Sequence, residues 1–268
     1  AELFGHAGID SDFEVVSLAI ETLQHCTADE EIILDLGHVG IFSELSTALG
    51  LNETDQEKLS DMLERKSIPD ISAWIVEKDF ASNHATILQA LPELNGSIDI
   101  LDEAAELFAG MGEKVKEILN YLRNLVQRLE QSFPSITINI DCGELRGYAY
   151  HTGVMFQLYL PTLQREVIRG GRYDGIGEAF GNARPATGFS ADLRLLSSLS
   201  QVVLAEQTKI LAPAVSDVEL DRIVKELRAQ GQIVVRQLGQ DGQENTPEEL
   251  GCKQQIVNSS GHWKVEKV

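Results

Sequence analysis

The chain has 268 residues, 43% of them hydrophobic, enough for one large domain, or one large and one small, with a substantial core. Twenty-two basic residues stand against 42 acidic ones for a net charge of −20, with no basic run, which argues against nucleic acid as the main partner. No stretch approaches 18 consecutive apolar residues, and the opening "AELFGHAGID" lacks the basic and apolar regions of a signal peptide; it reads as starting partway into a longer protein. Three widely spaced cysteines without a CxxC pair point to a reducing cytoplasm rather than a zinc site or disulfide framework.

In chain order, "SDFE" (Ser11–Glu14) has capping-box spacing, followed by Phe13, Val16, Ile20 and Leu23 at helical intervals. "EIILDLGHVGIF" (Glu31–Phe42) reads as a buried strand leaving into a Gly-bounded turn, with His38 structural in that turn. A mainly helical insertion is expected between about 43 and 131, broken at Pro69, Pro92 and Asn95–Gly96, its last helix running from Glu113 to about Gln131. "SITINIDC" (Ser135–Cys142) alternates as a strand, and "YAYHTGVMFQLYLP" with "EVIRGG" reads as a hairpin. "PATGFSADLRLL" (Pro185–Leu196) enters a helix. After a linker near 200–207 come a strand, a helix over Asp217–Gln230 and three further strands, a small α/β domain over 208–268. That tail carries a net charge near −1, so the first 207 residues hold about −19; a solvated surface accounts for this, and a face for a basic partner is the alternative. Trp74, Phe80 and Trp263 read as core or interface residues.

The densest motif is "RGGRYDGIGEAFG" (169–181), five glycines in thirteen positions. Each glycine costs roughly 0.5–1 kcal/mol relative to alanine in a regular element. Either the segment is a mobile loop, or its bare backbone closes on a small ligand.

Four stretches carry a resemblance. "LRGYAYHTGVMF" (Leu145–Phe156) resembles the histidine-binding strand of histidyl-tRNA synthetases, usually R-G-L-D-Y-Y-T-G, and "GGRYDG" (170–175) their second histidine loop. "PATGFSADLRLL" stands where class II synthetases place their third motif, and "AELFG" resembles the segment after the second. The resemblance covers about residues 1–200 in order. It implies an α+β fold, a class II synthetase-like antiparallel sheet flanked by helices. It also implies a histidine pocket of Glu2, Arg146, Tyr150, His151, Gly170, Gly171, Arg172 and Tyr173. Glu2 would meet the imidazole and Arg146 the carboxylate; strand alternation would let only one of Tyr150 and His151 face the ligand.

One departure bears on chemistry. Where synthetases read G-F-A-I-G-L-E-R, this chain has Asp192 for the second glycine and Leu195 for the arginine that holds ATP. Arg194 is one position early, about 100° around a helix. With "LDLGHVGIF" and "ELFGHAGI", the chain resembles more closely the regulatory-subunit family of the short-form, hetero-octameric ATP phosphoribosyltransferase. That resemblance implies a cytoplasmic, non-catalytic dimer without cofactor or metal. Its partners would be a separate short catalytic chain and free L-histidine, and its role activation and feedback in the first step of histidine biosynthesis. A histidyl-tRNA synthetase fragment and a synthetase-like interaction protein without ligand are the alternatives.

Overall fold

The computed structural model describes residues 1–27, 30–146, 150–175, 181, 183–200, 208–238 and 245–268. Two compact units form, Ala1–Gln201 and Val202–Val268. Residues 201–207 of the linker expected near 200–207, residues 147–149 of the first motif and residues 176–180 of the glycine-rich segment lie outside the described residues.

The first unit opens with β1 (Glu2–Phe4), α1 (Ile9–Cys26) and β2 (Ile33–His38). The insertion follows as α2 (Val39–Leu49), α3 (Glu53–Glu64), α4 (Ile68–Lys78), α5 (Ser82–Ala90), a 3-10 turn (Leu91–Glu93), the two-residue β3 (Asn95–Gly96), α6 (Ile100–Leu107) and α7 (Glu113–Ser132). The unit ends with β4 (Thr137–Asp141), β5 (Val154–Leu160), β6 (Arg165–Arg172), β7 (Ala186–Ala191) and α8 (Leu193–Leu199). The sheet order is β1-β7-β6-β5-β2-β4-β3. Among the described strands each neighbouring pair is antiparallel except β2 with β4. That pair is parallel because the whole helical insertion serves as its crossover connection. Helices α1 and α7 cover one face: Val16, Ile20 and Leu23 of the first and Leu122, Leu125, Val126 and Leu129 of the second join Leu34, Leu36, Phe156, Leu158 and Ile168 in a single core.

Two local expectations are corrected. Ser11 is not the cap of α1; the helix begins two residues earlier with Gly8 at the N-cap, and the Ser11 hydroxyl donates to the Gly8 carbonyl at 2.7 Å. No glycine-bounded turn follows β2. His38 ends the strand and caps α2, its Nδ1 accepting the Gly40 N–H at 3.0 Å, so strand passes directly to helix. The break expected at Pro69 falls between α3 and α4, with the proline in the first turn of α4, where a missing N–H costs nothing.

Burial lowers the His38 imidazole to about 4, with Asp12 opposing and Arg172 adding to the shift. The ring is thus neutral in the folded protein while its unfolded counterpart titrates near 6.5. The resulting stability is complete above pH ~6.5 and declines, by up to about 3 kcal/mol, as pH falls toward ~4. His38→Asn keeps a capping acceptor and removes the titration. Denaturant midpoints at pH 7 and pH 4.5 are expected to fall less in this variant than in the parent chain; equal falls would remove His38 from the account.

The second unit contains β8 (Lys209–Ala212), α9 (Val218–Ala229), β9 (Ile233–Arg236), β10 (Cys252–Ser259) and β11 (His262–Lys267) in the sheet order β11-β10-β8-β9. β8 runs parallel to both neighbours, and β10–β11 is an antiparallel hairpin. Ile210, Ala212, Leu220, Val224, Val234 and Ile256 form its core, with Trp263 packed against it. In the first unit Trp74 is buried, edge-on to Phe80 at 5.0 Å. Among the described residues no helix is long and apolar enough to cross a membrane.

Candidate functional site

Strand register assigns the side chains of the first sheet to its two faces. One row across the ladder reads Glu2–Gly188–Gly171–Met155, and the next reads Ser190–Arg169–Gln157–Asp35. Alternate residues share a face, so both rows lie opposite the α1/α7 layer. All of these residues except Asp35 floor a cavity of about 540 Å3, within the ~300–1,000 Å3 usual for small-molecule sites. The two glycines exist for close approach. A Cβ on Gly188 would lie 2.0 Å from a Glu2 carboxylate oxygen and 2.6 Å from the Ala1 carbonyl oxygen. On Gly171 it would lie 2.4 Å from the His151 ring and 2.6 Å from the Val154 carbonyl oxygen.

Of the residues expected to bind histidine, Glu2, Arg146, Tyr150, His151, Gly170, Gly171 and Tyr173 all line this cavity. The expectation that only one of Tyr150 and His151 faces it is corrected: both precede β5, in a turn where strand alternation does not operate. Arg172 is also corrected, since it follows Gly171 and points through the opposite face. There its guanidinium bonds both carboxylate oxygens of Asp12 (2.6 and 3.2 Å), the Ser11 hydroxyl (2.7 Å) and the His6 and Gly8 carbonyls. Asp12 is fully buried and also accepts from the hydroxyls of Thr187, at 2.5 Å, and Tyr121. Burial and this bond to Asp12 push the Tyr121 phenol well above its ordinary range.

Gln157 and Arg169 are among the cavity residues that the sequence reading did not assign to the site. Gln157 is buried, a polar residue among apolar strand neighbours, and accepts from Arg146 at 3.0 Å. Arg169 pairs with Glu166 at 3.3 Å. Counting back by two from Gly171 would have found Arg169. Arg146 is braced further by the Tyr159 hydroxyl at 3.0 Å and by buried Glu144 at 3.3 Å. An acidic neighbourhood backs this corner: burial raises Asp35, eased by the Asn139 amide and reinforced by Asp141 and Glu144, while burial, Glu144 and Asp61 raise Glu64.

β7 leads directly into α8. Asp192 caps α8, its carboxylate accepting the Arg194 N–H at 2.8 Å and the Leu195 N–H at 3.4 Å. The backbone donors at this helix start are thereby occupied by the chain's own carboxylate rather than open to an anion.

Residues 1–196 match the family described as histidyl-tRNA synthetase, and residues 207–266 the one described as the ATP phosphoribosyltransferase subunit HisZ C-terminal domain. The ATP phosphoribosyltransferase regulatory subunit of Thioalkalivibrio sulfidiphilus is 43% identical over 267 residues, covering 99% of this chain and 67% of that protein. The chain belongs to the ATP phosphoribosyltransferase regulatory-subunit family. It spans about two thirds of the length of the curated relatives it matches. An ATP phosphoribosyltransferase regulatory subunit/histidyl-tRNA synthetase from Bacillus halodurans C is 28% identical with a TM-score of 0.71, over 88% of this chain and 61% of that one. The family fold recurs at 20% identity and a TM-score of 0.57 in the ATP phosphoribosyl transferase (HisG:HisZ) complex from Thermotoga maritima, over 71% and 63% of the two chains. The class II synthetase-like α+β fold expected from the motifs is therefore the fold of this family.

Proposed function

We propose that this chain is the non-catalytic, regulatory part of an ATP phosphoribosyltransferase, stimulating a separate catalytic chain and reporting free histidine to it. The observation that carries the reading is the cavity, with a carboxylate (Glu2) over a bare glycine floor at one end and arginines toward the other. A carboxylate suits the imidazole N–H of histidine, since charge-assisted hydrogen bonds are about twice as strong as neutral ones. Glu2, Arg146, Tyr150, His151, Gly170, Gly171 and Tyr173 are the proposed walls. Family membership supports the regulatory role, and the solved HisG:HisZ complex of a relative with the same fold supports the partner. Histidine bound here shifts the partner's activity only to the extent that the active and inhibited assemblies differ in histidine affinity.

Absence of catalysis rests on Asp192 and Leu195, which replace a glycine and an arginine at positions where synthetases hold ATP. Activating histidine would require charge stabilisation at the α-phosphate. The full-length protein is therefore expected to show no histidine-dependent exchange of pyrophosphate into ATP, yet to raise the ATP phosphoribosyltransferase rate of the catalytic chain. Exchange clearly above background contradicts the non-catalytic reading; failure to stimulate contradicts the regulatory one.

A further inference from the structure

Resting on the histidine reading of the cavity, we propose that Arg169 holds the carboxylate of the bound amino acid, and that Arg146 is a positioning residue for Gln157 and Tyr159. The two arginines differ in what they are free to do. Nη1 of Arg146 donates to Gln157 and to the Tyr159 hydroxyl, both at 3.0 Å, and its Nη2 pairs with Glu144 at 3.3 Å. The Glu144 side chain is 8% exposed and also accepts the Arg146 backbone N–H at 2.7 Å, so Arg146, its own side chain 51% exposed, is anchored through both backbone and guanidinium. Arg169 meets Glu166 across an exposed i,i+3 step, its own side chain 71% exposed. Such a pair is worth little and is readily exchanged for a better anion.

Placement agrees with this assignment. Arg169 lies two residues before Gly171 on one strand face, about 7 Å along the sheet. Glu2, Gly188 and Gly171 form the row that suits the ring, whereas Ser190, Arg169 and Gln157 form the next. A histidine lying along the strands, its ring over the first row, brings its carboxylate to the second. An arginine fork matches a carboxylate with two parallel donors, which an exposed and lightly held guanidinium can supply.

The test uses the full-length protein and two probes, histidine and histidinol, the amino alcohol in which CH2OH replaces the carboxylate, titrated calorimetrically. Arg169→Gln is expected to weaken histidine roughly tenfold or more while leaving histidinol unchanged. Arg146→Gln, through Gln157 and Tyr159, is expected to weaken both probes alike. If Arg169→Gln leaves histidine binding intact, or weakens both probes equally, the assignment is overturned. So it is if Arg146→Gln alone discriminates between them. If the parent protein binds neither probe, the histidine reading itself fails, a result distinct from the others.

Discussion

Asp12→Ala is expected to lower the unfolding free energy by about 3–5 kcal/mol, the largest effect of any single exchange outside the apolar core. Asp12 is fully buried and receives two guanidinium bonds from Arg172 and one bond each from the hydroxyls of Thr187 and Tyr121. Removing it leaves the Arg172 charge, with a side chain only 7% exposed, without its principal counter-ion. The same network reaches three cavity-bearing strands. Arg172 lies between Gly171 and Tyr173, Thr187 precedes Gly188, and the His6 and Gly8 carbonyls tie down the chain just after the strand of Glu2. Replacing both Asp12 and Arg172 by leucine is expected to cost less than the single alanine exchange, because the one charge left without its partner, Asp174, is partly exposed to water. Denaturant titrations of the three proteins check this; a loss below 1 kcal/mol for Asp12→Ala would show the pair to be dispensable.

Gly171→Ala is expected to cost roughly 1–3 kcal/mol of stability and to weaken histidine binding by more than its added volume suggests. The new methyl would sit 2.4 Å from the His151 ring and 2.6 Å from the Val154 carbonyl oxygen. A ring can swing away, but the carbonyl belongs to the adjacent strand, so the cavity floor must deform. Gly175→Ala is the matched control. Nothing lies within 4 Å of its Cβ position and its φ is not left-handed, so the change is expected to stay within about 0.5 kcal/mol. Thermal or chemical unfolding together with histidine titration reads both variants; equal effects at 171 and 175 would contradict the close-approach argument.

That contrast shows what was legible in the sequence. The glycine-rich stretch announced a backbone that must come close to something, but composition does not separate its glycines. Gly170 and Gly171 are required by packing, Gly181 by a left-handed φ of 84°, and Gly175 by neither. The elements were legible because their periodicity is strong: α7 runs one residue past its expected end, with buried residues at i, i+3 and i+4 steps. Boundaries governed by tertiary partners were not. The Ser11 hydroxyl, at capping-box spacing, is instead drawn into the Arg172 network, and His38 turned an expected turn into a cap.

The site was legible as a set of motifs, and less so as a surface. Arg172 belongs to the glycine-rich motif, yet the two-residue strand period puts it behind the sheet once Gly171 faces the cavity. The same count brings Arg169 and Gln157 forward. The parallel β2–β4 pair could not be read from either short strand alone; it follows from the long helical crossover between them.

The measurement that bears most directly on the central claim is a histidine titration of ATP phosphoribosyltransferase activity, with the catalytic chain alone and with the full-length form of this protein added. The account predicts stimulation on addition, followed by inhibition as histidine rises, with the inhibition curve displaced to higher histidine by Arg169→Gln. No stimulation, or an inhibition curve that neither Arg169→Gln nor Gly171→Ala displaces, would contradict it and place the regulatory histidine elsewhere.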